Sequence, residues 1–278
     1  MAECPACQGN PIARLRTSGY AYLICESCGT ATLEQGSNQA TYERAYFSAG
    51  VDNGYYDYEA DRLLHLETAG HRLNAVAGRV RDLENVIDVG AALGFGLLAA
   101  KERGLRAVGV EISEFARERL ERMGFESHRD LASVSGSFDA ILFGQVLEHM
   151  PDPVGALQVA HRLLRPGGAL FLETWDFESR TAQRFGRRWQ QISPPSVVHL
   201  FTARGLTTML ERLGFEEPVI SPWRKRVSLG VYLGVIASKL PEAIGRPLMK
   251  LARATRIARI ALTYRFDDLI AVTARKPG

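Results

Sequence analysis

The sequence predicts a doubly wound α/β sheet preceded by a small four-cysteine hairpin. Three observations carry that expectation. Apolar strand-like runs alternate with helical patterns from about residue 83 onward, a glycine-bearing turn follows the first of those runs, and all four cysteines lie within the first 28 of 278 residues. Alternating strands and helices imply a parallel sheet covered on both faces. At roughly 100 to 200 residues per domain, the length suits one large domain with an appendage, or two modest ones. Hydrophobic residues make up 46% and charged residues 23%, which excludes a disordered or fibrous chain. No apolar run reaches the ~18 residues of a membrane span, and no secretory pattern follows Met1, so a cytoplasmic protein is expected. Thirty-four basic residues against 31 acids leave +3, too little to argue a nucleic-acid partner from global charge.

The cysteines form two pairs, Cys4-Pro5-Ala6-Cys7 and Cys25-Glu26-Ser27-Cys28, with 17 residues between them. Each two-residue gap turns two thiolates toward one metal edge, and the spacing is that of a zinc ribbon. Four sulfurs fill a zinc tetrahedron, so Zn2+ here is structural and stabilises residues 1–35 by on the order of 10 kcal/mol. Two disulfides or four free thiols are the alternatives; the expected compartment disfavours the disulfides. If the ribbon is independent, a chelator melts it and leaves the rest folded.

Residues 36–82 read as a connector. Its first part is polar and rich in tyrosine, and Tyr55, Tyr56 and Tyr58 are expected to pack the linker or to cover a ligand pocket. Leu63, Leu64, Leu66, Leu73, Val76 and Val80 then make one helical stripe. The segment 83–278 carries the main domain. Val86–Val89 reads as a buried strand, Gly90-Ala91-Ala92-Leu93-Gly94-Phe95-Gly96 as the turn, and Leu97–Arg103 as a helix, so backbone amides line a pocket. Ala107–Val110 is the second strand, ending at Glu111, 21 residues after Gly90, where a carboxylate accepts both ribose hydroxyls of a nucleotide-like ligand.

The G-x-x-x-x-G-K-[ST] phosphate loop is absent, and the turn reads G-x-x-x-G-x-G rather than the dinucleotide G-x-G-x-x-G. Asp88, at the strand end, brings negative charge that suits a cationic sulfonium or amine. Phe125–Arg129 is a third strand closing at Asp130 and Leu131, where an acid meets an adenine amino group. Phe138–Phe143 is a fourth, apolar enough to be buried on both faces. Gln145–Pro153 follows, then a helix over 154–164, a break at Arg165–Gly168, and strand Ala169–Glu173.

With Asp88 through Gly96, Glu111, Asp130, Gln145–Pro153 and Leu164–Gly168 in this order, residues of about 50–220 resemble a class I S-adenosylmethionine-dependent methyltransferase. The resemblance implies a seven-stranded, mainly parallel, Rossmann-like sheet, with Phe215–Ile220 and Leu269–Ala274 as the last strands and the final one antiparallel. It implies S-adenosylmethionine as cofactor, with Gly90, Ala92 and Gly94 approaching the methionine part, Asp88 and Gln145 near its amino-acid end, Glu111 on the ribose, Ile112 on a ring face, and Asp130 with Leu131 at the adenine. Ala92 stands where the family usually has a middle glycine. Thr174-Trp175-Asp176, Gly186–Trp189 and Val198–Phe201 look like the bacterial subgroup acting on small molecules, sugars or glycan precursors, and the four-cysteine layout looks like that of sugar C-methyltransferases.

Methyl transfer needs its partners held in line more than acid or base. A hydroxyl or acidic-carbon acceptor also needs a base. His149 is the first candidate and His199 the second, with turn capping and packing as their respective alternatives. Glu148 is expected to brace the loop, with a metal role beside His149 as the alternative. Tyr55, Tyr56 and Trp175 are the expected substrate contacts. From Arg224 to Arg265, ten basic residues face one acid, Glu242, for a local +9. That insertion is expected either to dock on an anionic surface, such as phospholipid, a linked sugar or RNA, or to cover the core as a solvated face. An RNA methyltransferase with a substrate-binding ribbon and a non-catalytic binding protein are the alternative functions.

Overall fold

The computed structural model describes residues 3–36, 47, 58–238, 240–254 and 257–278. At the N-terminus, β1 (Pro11–Thr17) and β2 (Tyr20–Cys25) form an antiparallel hairpin. Its turn residues Ser18 and Gly19 sit at φ 46° and 82°, the left-handed pair that matches strand twist. Strand β3 (Ala31–Leu33) pairs with β2. Each cysteine pair sits in the same turn. Gln8 N–H donates to the Cys4 carbonyl at 2.8 Å and Gly29 N–H to the Cys25 carbonyl at 3.0 Å. Gln8 and Gly29, the donors, both have positive φ.

Helix α1 (Arg62–Ala77) follows. Thr68, Ala69, Leu73 and Val76 form its buried face, whereas Leu63, expected on the stripe, is 78% exposed, and Val80 is buried beyond the helix end. The sheet then builds in order: β4 (Asn85–Val89), α2 (Phe95–Lys101), β5 (Arg106–Val110), α3 (Glu114–Arg122), β6 (Glu126–His128), β7 (Phe138–Gly144), α4 (Pro153–Leu163) and β8 (Leu164–Trp175). β7 is buried at every position but its last, as its apolar run Ala140–Phe143 requires. Asp152 caps α4, accepting from Gly155 N–H, with Pro153 in the first turn. The expected break at Arg165–Gly168 lies inside the extended chain of β8, with Gly167 at φ 73°.

After β8 come α5 (Arg180–Phe185), β9 (His199–Leu200), α6 (Ala203–Arg212) and β10 (Glu216–Pro222). The basic insertion contributes β11 (Arg226–Ser228), α7 (Leu229–Ser238), α8 (Glu242–Ala254) and β12 (Ala261–Thr263) before β13 (Leu269–Arg275) closes the sheet. The seven strands run β10-β13-β8-β7-β4-β5-β6, with β13 antiparallel to both neighbours and the other pairings parallel. Alternation decides the layers. Ile87, Val108, Ile141, Leu170 and Val272 pack with Leu157 of α4 and Leu206 of α6, while Val86, Ala140, Phe171 and Ala271 meet Leu73 and Val76 of α1 and Ala99 and Ala100 of α2.

The ribbon shares its sheet and core with the larger fold. β3 pairs with β9, so the small sheet runs β1-β2-β3-β9. Cys4, Cys25 and Cys28 join the same apolar cluster as Phe201, Leu206 and Met209. Among the described residues no helix is long and apolar enough to cross a membrane.

Candidate active site

At the carboxyl ends of β4, β5 and β7 lies a cavity of about 1420 Å³, roofed by the insertion. One half is acidic. Asp88, one residue before the end of β4, lies beside Gly96, where an added Cβ would strike Asp88 Oδ2, so glycine there lets the carboxylate lie against the start of α2. Burial raises the Asp88 pKa to about 6 despite the opposing charge of Arg72. Glu111, 6% exposed, accepts from Ala92 N–H at 2.8 Å and Ser113 N–H at 2.9 Å. Burial raises its pKa and these backbone donors oppose the shift. Ala92 sits at φ 47°, a left-handed conformation costing roughly 1–2 kcal/mol for a residue with a Cβ. The bond to Glu111 holds it there. Gly90 (φ 75°) opens the turn, and an added Cβ would strike Val146 at 2.9 Å.

Ile112, Asp130, Leu131 and Gln145 also line the cavity. Asp130 doubles as a cap, accepting from Ser133 N–H at 2.9 Å. Gly94 does not line it: at φ 86° it starts α2, and its missing Cβ makes room for Leu120. Tyr55 and Tyr56 lie outside the described residues. Tyr58 stacks on His65 at 4.9 Å, and His65 on Phe95 at 5.3 Å, an aromatic ladder on the cavity wall. Burial, with the Lys225 and Arg72 charges, lowers His65 to about 4 and keeps it neutral.

Between the halves lies a buried charge cluster that local sequence patterns do not reveal. Arg72 Nε of α1 donates to Glu173 Oε2 at 2.7 Å, and Lys225 Nζ stands 3.6 Å from Glu173 Oε1. Burial pushes the Glu173 pKa up, but Arg72 and Lys225 together outweigh it and the net shift is downward. Lys225 also contacts the Gln145 side-chain oxygen and lies 5.4 Å over the Trp175 ring. The first residues of the insertion are thereby tied to the loop after β7. The one sequence signal was Glu173 itself, an acid ending the apolar run Ala169–Leu172.

His149 lies on the short turn after β7 and lines the cavity. Its Nδ1 is 2.7 Å from the Ser196 carbonyl. A carbonyl only accepts, so Nδ1 carries the proton and the neutral ring has its lone pair on Nε2, the form a base requires. Glu148, 2% exposed, also lines the cavity, with Thr174 and His149 beside its carboxylate. Burial raises its pKa.

His199 is displaced from the cavity. It sits in β9 at 3% exposure, with Nδ1 3.2 Å from Thr32 Oγ1 of the ribbon and its ring stacked on Phe201 at 5.5 Å. Burial lowers it to about 4, so it is a neutral packing residue between β3 and the loop after β7.

The other half of the cavity is aromatic, with Trp175, Phe185, Trp189, Tyr232, Tyr264 and Phe266. Asp268, 1% exposed, organises it by accepting from Trp189 Nε1–H and Tyr264 O–H, each at 2.8 Å.

Residues 57–219, more than half of the chain, match the family model described as a methyltransferase domain. The chain belongs to that methyltransferase family. The methyltransferase is 31% identical over 102 residues to the ubiquinone biosynthesis O-methyltransferase of Pseudomonas paraeruginosa, covering 33% of this chain and 44% of the relative. Against the protein of the same name from Xanthomonas oryzae pv. oryzae it is 34% identical over 116 residues, covering 37% and 48%. It thus spans less than half the length of these curated relatives.

Among solved structures, an S-adenosylmethionine-dependent methyltransferase from Archaeoglobus fulgidus superposes with a TM-score of 0.52 at 17% identity, covering 79% of this chain and 99% of that one. An S-adenosylmethionine-dependent methyltransferase from Thermotoga maritima gives 0.51 at 19% identity, covering 79% and 94%. These likenesses show the fold, the S-adenosylmethionine-dependent methyltransferase fold expected from the sequence.

The donor set suits that cofactor: carboxylates at Asp88, Glu111 and Asp130 oppose a cation, hydroxyls and an amino group, and nothing in the turn grips a phosphate. The ribbon suits zinc. Its four sulfurs lie within 4.8 Å of one another, with Cys4–Cys28 at 3.6 Å and Cys7–Cys25 at 3.4 Å, near the ~3.8 Å edge of a zinc–thiolate tetrahedron and too long for disulfides.

Proposed function

We propose that this methyltransferase O-methylates a small, ring-bearing acceptor with His149 as general base. When bound, S-adenosylmethionine supplies an electrophilic methyl, whose C–S bond breaks as the acceptor oxygen forms its C–O bond. The chain's own work is placement. Asp88, Glu111 and Asp130 hold the cofactor end, the aromatic half stacks the acceptor ring, and Nε2 of His149 takes the hydroxyl proton. The observation that carries this reading is the 2.7 Å bond from His149 Nδ1 to the Ser196 carbonyl, which fixes the basic nitrogen of a ring lining the cavity. A sugar or glycan-precursor acceptor is the second reading, favoured by the two indoles, Trp175 and Trp189, and the Glu148 carboxyl, a lining that also suits a pyranose. The test is His149→Ala, with S-adenosylhomocysteine release measured across phenolic, catecholic and nucleotide-sugar acceptors. Turnover is expected to fall roughly 100-fold or more with cofactor affinity unchanged. Full turnover in the variant removes His149 from the mechanism.

The insertion adds a partner to this reading: its outer surface docks on an anionic phospholipid surface. Twelve large hydrophobic residues are exposed among the described ones, and eight of them, from Ile236 to Phe266, lie on or beside this insertion. Arg246, Lys250 and Arg259 are exposed among them. Apolar side chains enter the acyl boundary while basic ones meet head groups. Because Val231, Tyr232 and Val235 of α7 also line the cavity, a docked insertion places the acceptor half next to the lipid.

A further inference from the structure

The geometry points to the cysteine ribbon as the positioning element for His149. The inference rests on the proposed role of that histidine, but it concerns the residues that hold the ring. Residues 196–200 run between the ribbon and the loop after β7, bonded on both sides. On the ribbon side, the Tyr22 hydroxyl, from a side chain at 0% exposure, donates to the Val197 carbonyl at 2.6 Å. Leu33 N–H donates to the Val198 carbonyl at 2.8 Å, and Ala31 and Thr32 pair with Leu200 and His199. On the cavity side, Val198 N–H donates to the Glu148 carbonyl at 2.8 Å, and the Ser196 carbonyl takes the Nδ1 proton of His149 at 2.7 Å. The Ser196 hydroxyl lies 3.2 Å from the same nitrogen.

The same segment is anchored to the cysteines. Thr202, two residues past β9, donates its hydroxyl to the Cys28 carbonyl at 2.6 Å and uses the same oxygen to cap α6 through Gly205 N–H at 2.9 Å. Arg212, at the end of α6, donates to the Ala6 carbonyl inside the first cysteine turn at 2.7 Å. A peptide this short, without a helix of its own, takes its position from its neighbours. Tyr22 and Leu33, which bond the Val197 and Val198 carbonyls, both belong to the ribbon. The carbonyl of Ser196 therefore stays where His149 needs it only while the ribbon sheet is folded around its metal. Tyr22 is a positioning residue: it touches neither cavity nor cysteines, and acts through Val197 and Ser196.

The test uses the full chain. In Tyr22→Phe, which keeps the ring and removes one hydroxyl, turnover is expected to fall about three- to tenfold, the worth of one buried hydrogen bond, with the KM for S-adenosylmethionine unchanged. A second readout does not depend on activity. In 15N spectra of the neutral imidazole, recorded at alkaline pH without substrate, wild type shows Nδ1 protonated and Nε2 unprotonated, and both Tyr22→Phe and metal-stripped protein show mixed tautomers. Hydrogen exchange at the Val198 amide rises in parallel. Unchanged tautomers in Tyr22→Phe and in stripped protein overturn the inference, whatever happens to turnover. Should His149→Ala keep full activity, the base assignment falls, while the tautomer spectra still decide whether the ribbon holds the ring.

Discussion

Replacing Glu111 by glutamine separates what this carboxylate does for the loop from what it does for the ligand. The side chain is 6% exposed and receives two backbone donors at 2.8 and 2.9 Å. Hydrogen bonds to a charged acceptor contribute about 1.5–3 kcal/mol each. An amide keeps one acceptor oxygen and turns an NH2 toward the other N–H, so one bond is lost and the other loses its charge. The expected cost is about 2–3 kcal/mol in urea unfolding without ligand.

Part of that cost is strain at Ala92, held at φ 47° by the bond to Glu111. Adding Ala92→Gly should recover about 1 kcal/mol, because glycine adopts that φ freely. Calorimetry with S-adenosylmethionine should then show affinity down at least about tenfold in Glu111→Gln, equivalent to about 1.4 kcal/mol, and still down in the double variant. Full recovery of affinity by Ala92→Gly would mean that Glu111 only shapes the turn. Unchanged affinity in the single variant would refute the ribose contact altogether.

Other consequences follow from neighbouring groups. Asp88 has its pKa raised by burial to about 6 in the folded chain, so it contributes stability that is present below its ordinary value of 3.8 and is lost as pH rises through about 6. Cofactor affinity should move the opposite way, strengthening as the carboxylate ionises; Asp88→Asn should flatten both profiles, and a wild-type affinity constant from pH 5 to 7.5 would contradict the contact. Gly96→Ala forces its Cβ against Asp88 Oδ2 and should lower both cofactor affinity and melting temperature; an unperturbed variant would show that the carboxylate is free to move. Metal analysis should find one zinc per chain, and chelation should lower the melting temperature of the whole chain, because the cysteines share a core with α6; selective loss of residues 1–35 with an unshifted main transition would restore an independent ribbon. Co-sedimentation with phosphatidylglycerol vesicles should weaken with salt and drop several-fold in Ile244→Ser/Leu251→Ser; equal binding to neutral vesicles would rule out the electrostatic contact.

Short-range patterns carried much of this fold. β7 carries the run Ala140–Phe143, buried on both faces as a doubly covered sheet requires, and the turn from Gly90 to Gly96 lies where a strand hands over to a helix. The spacing from Gly90 to Glu111 likewise put a carboxylate at the neighbouring strand end, since one helix and two short turns fill that interval. Residues whose role depends on a distant partner were not legible. Leu63 fits a helical stripe but faces solvent, and His199 reads as a candidate base but packs between β3 and the loop after β7. Arg72, Glu173 and Lys225 are separated by 101 and 52 positions along the chain and meet only once α1, β8 and the insertion converge.

The ribbon divides the same way. Cysteine spacing is local chemistry, and it alone determined where the four sulfurs converge. That β3 would find its next strand at His199–Leu200, some 170 residues later, was decided by tertiary packing, because a sheet edge pairs with whichever strand the rest of the fold brings beside it.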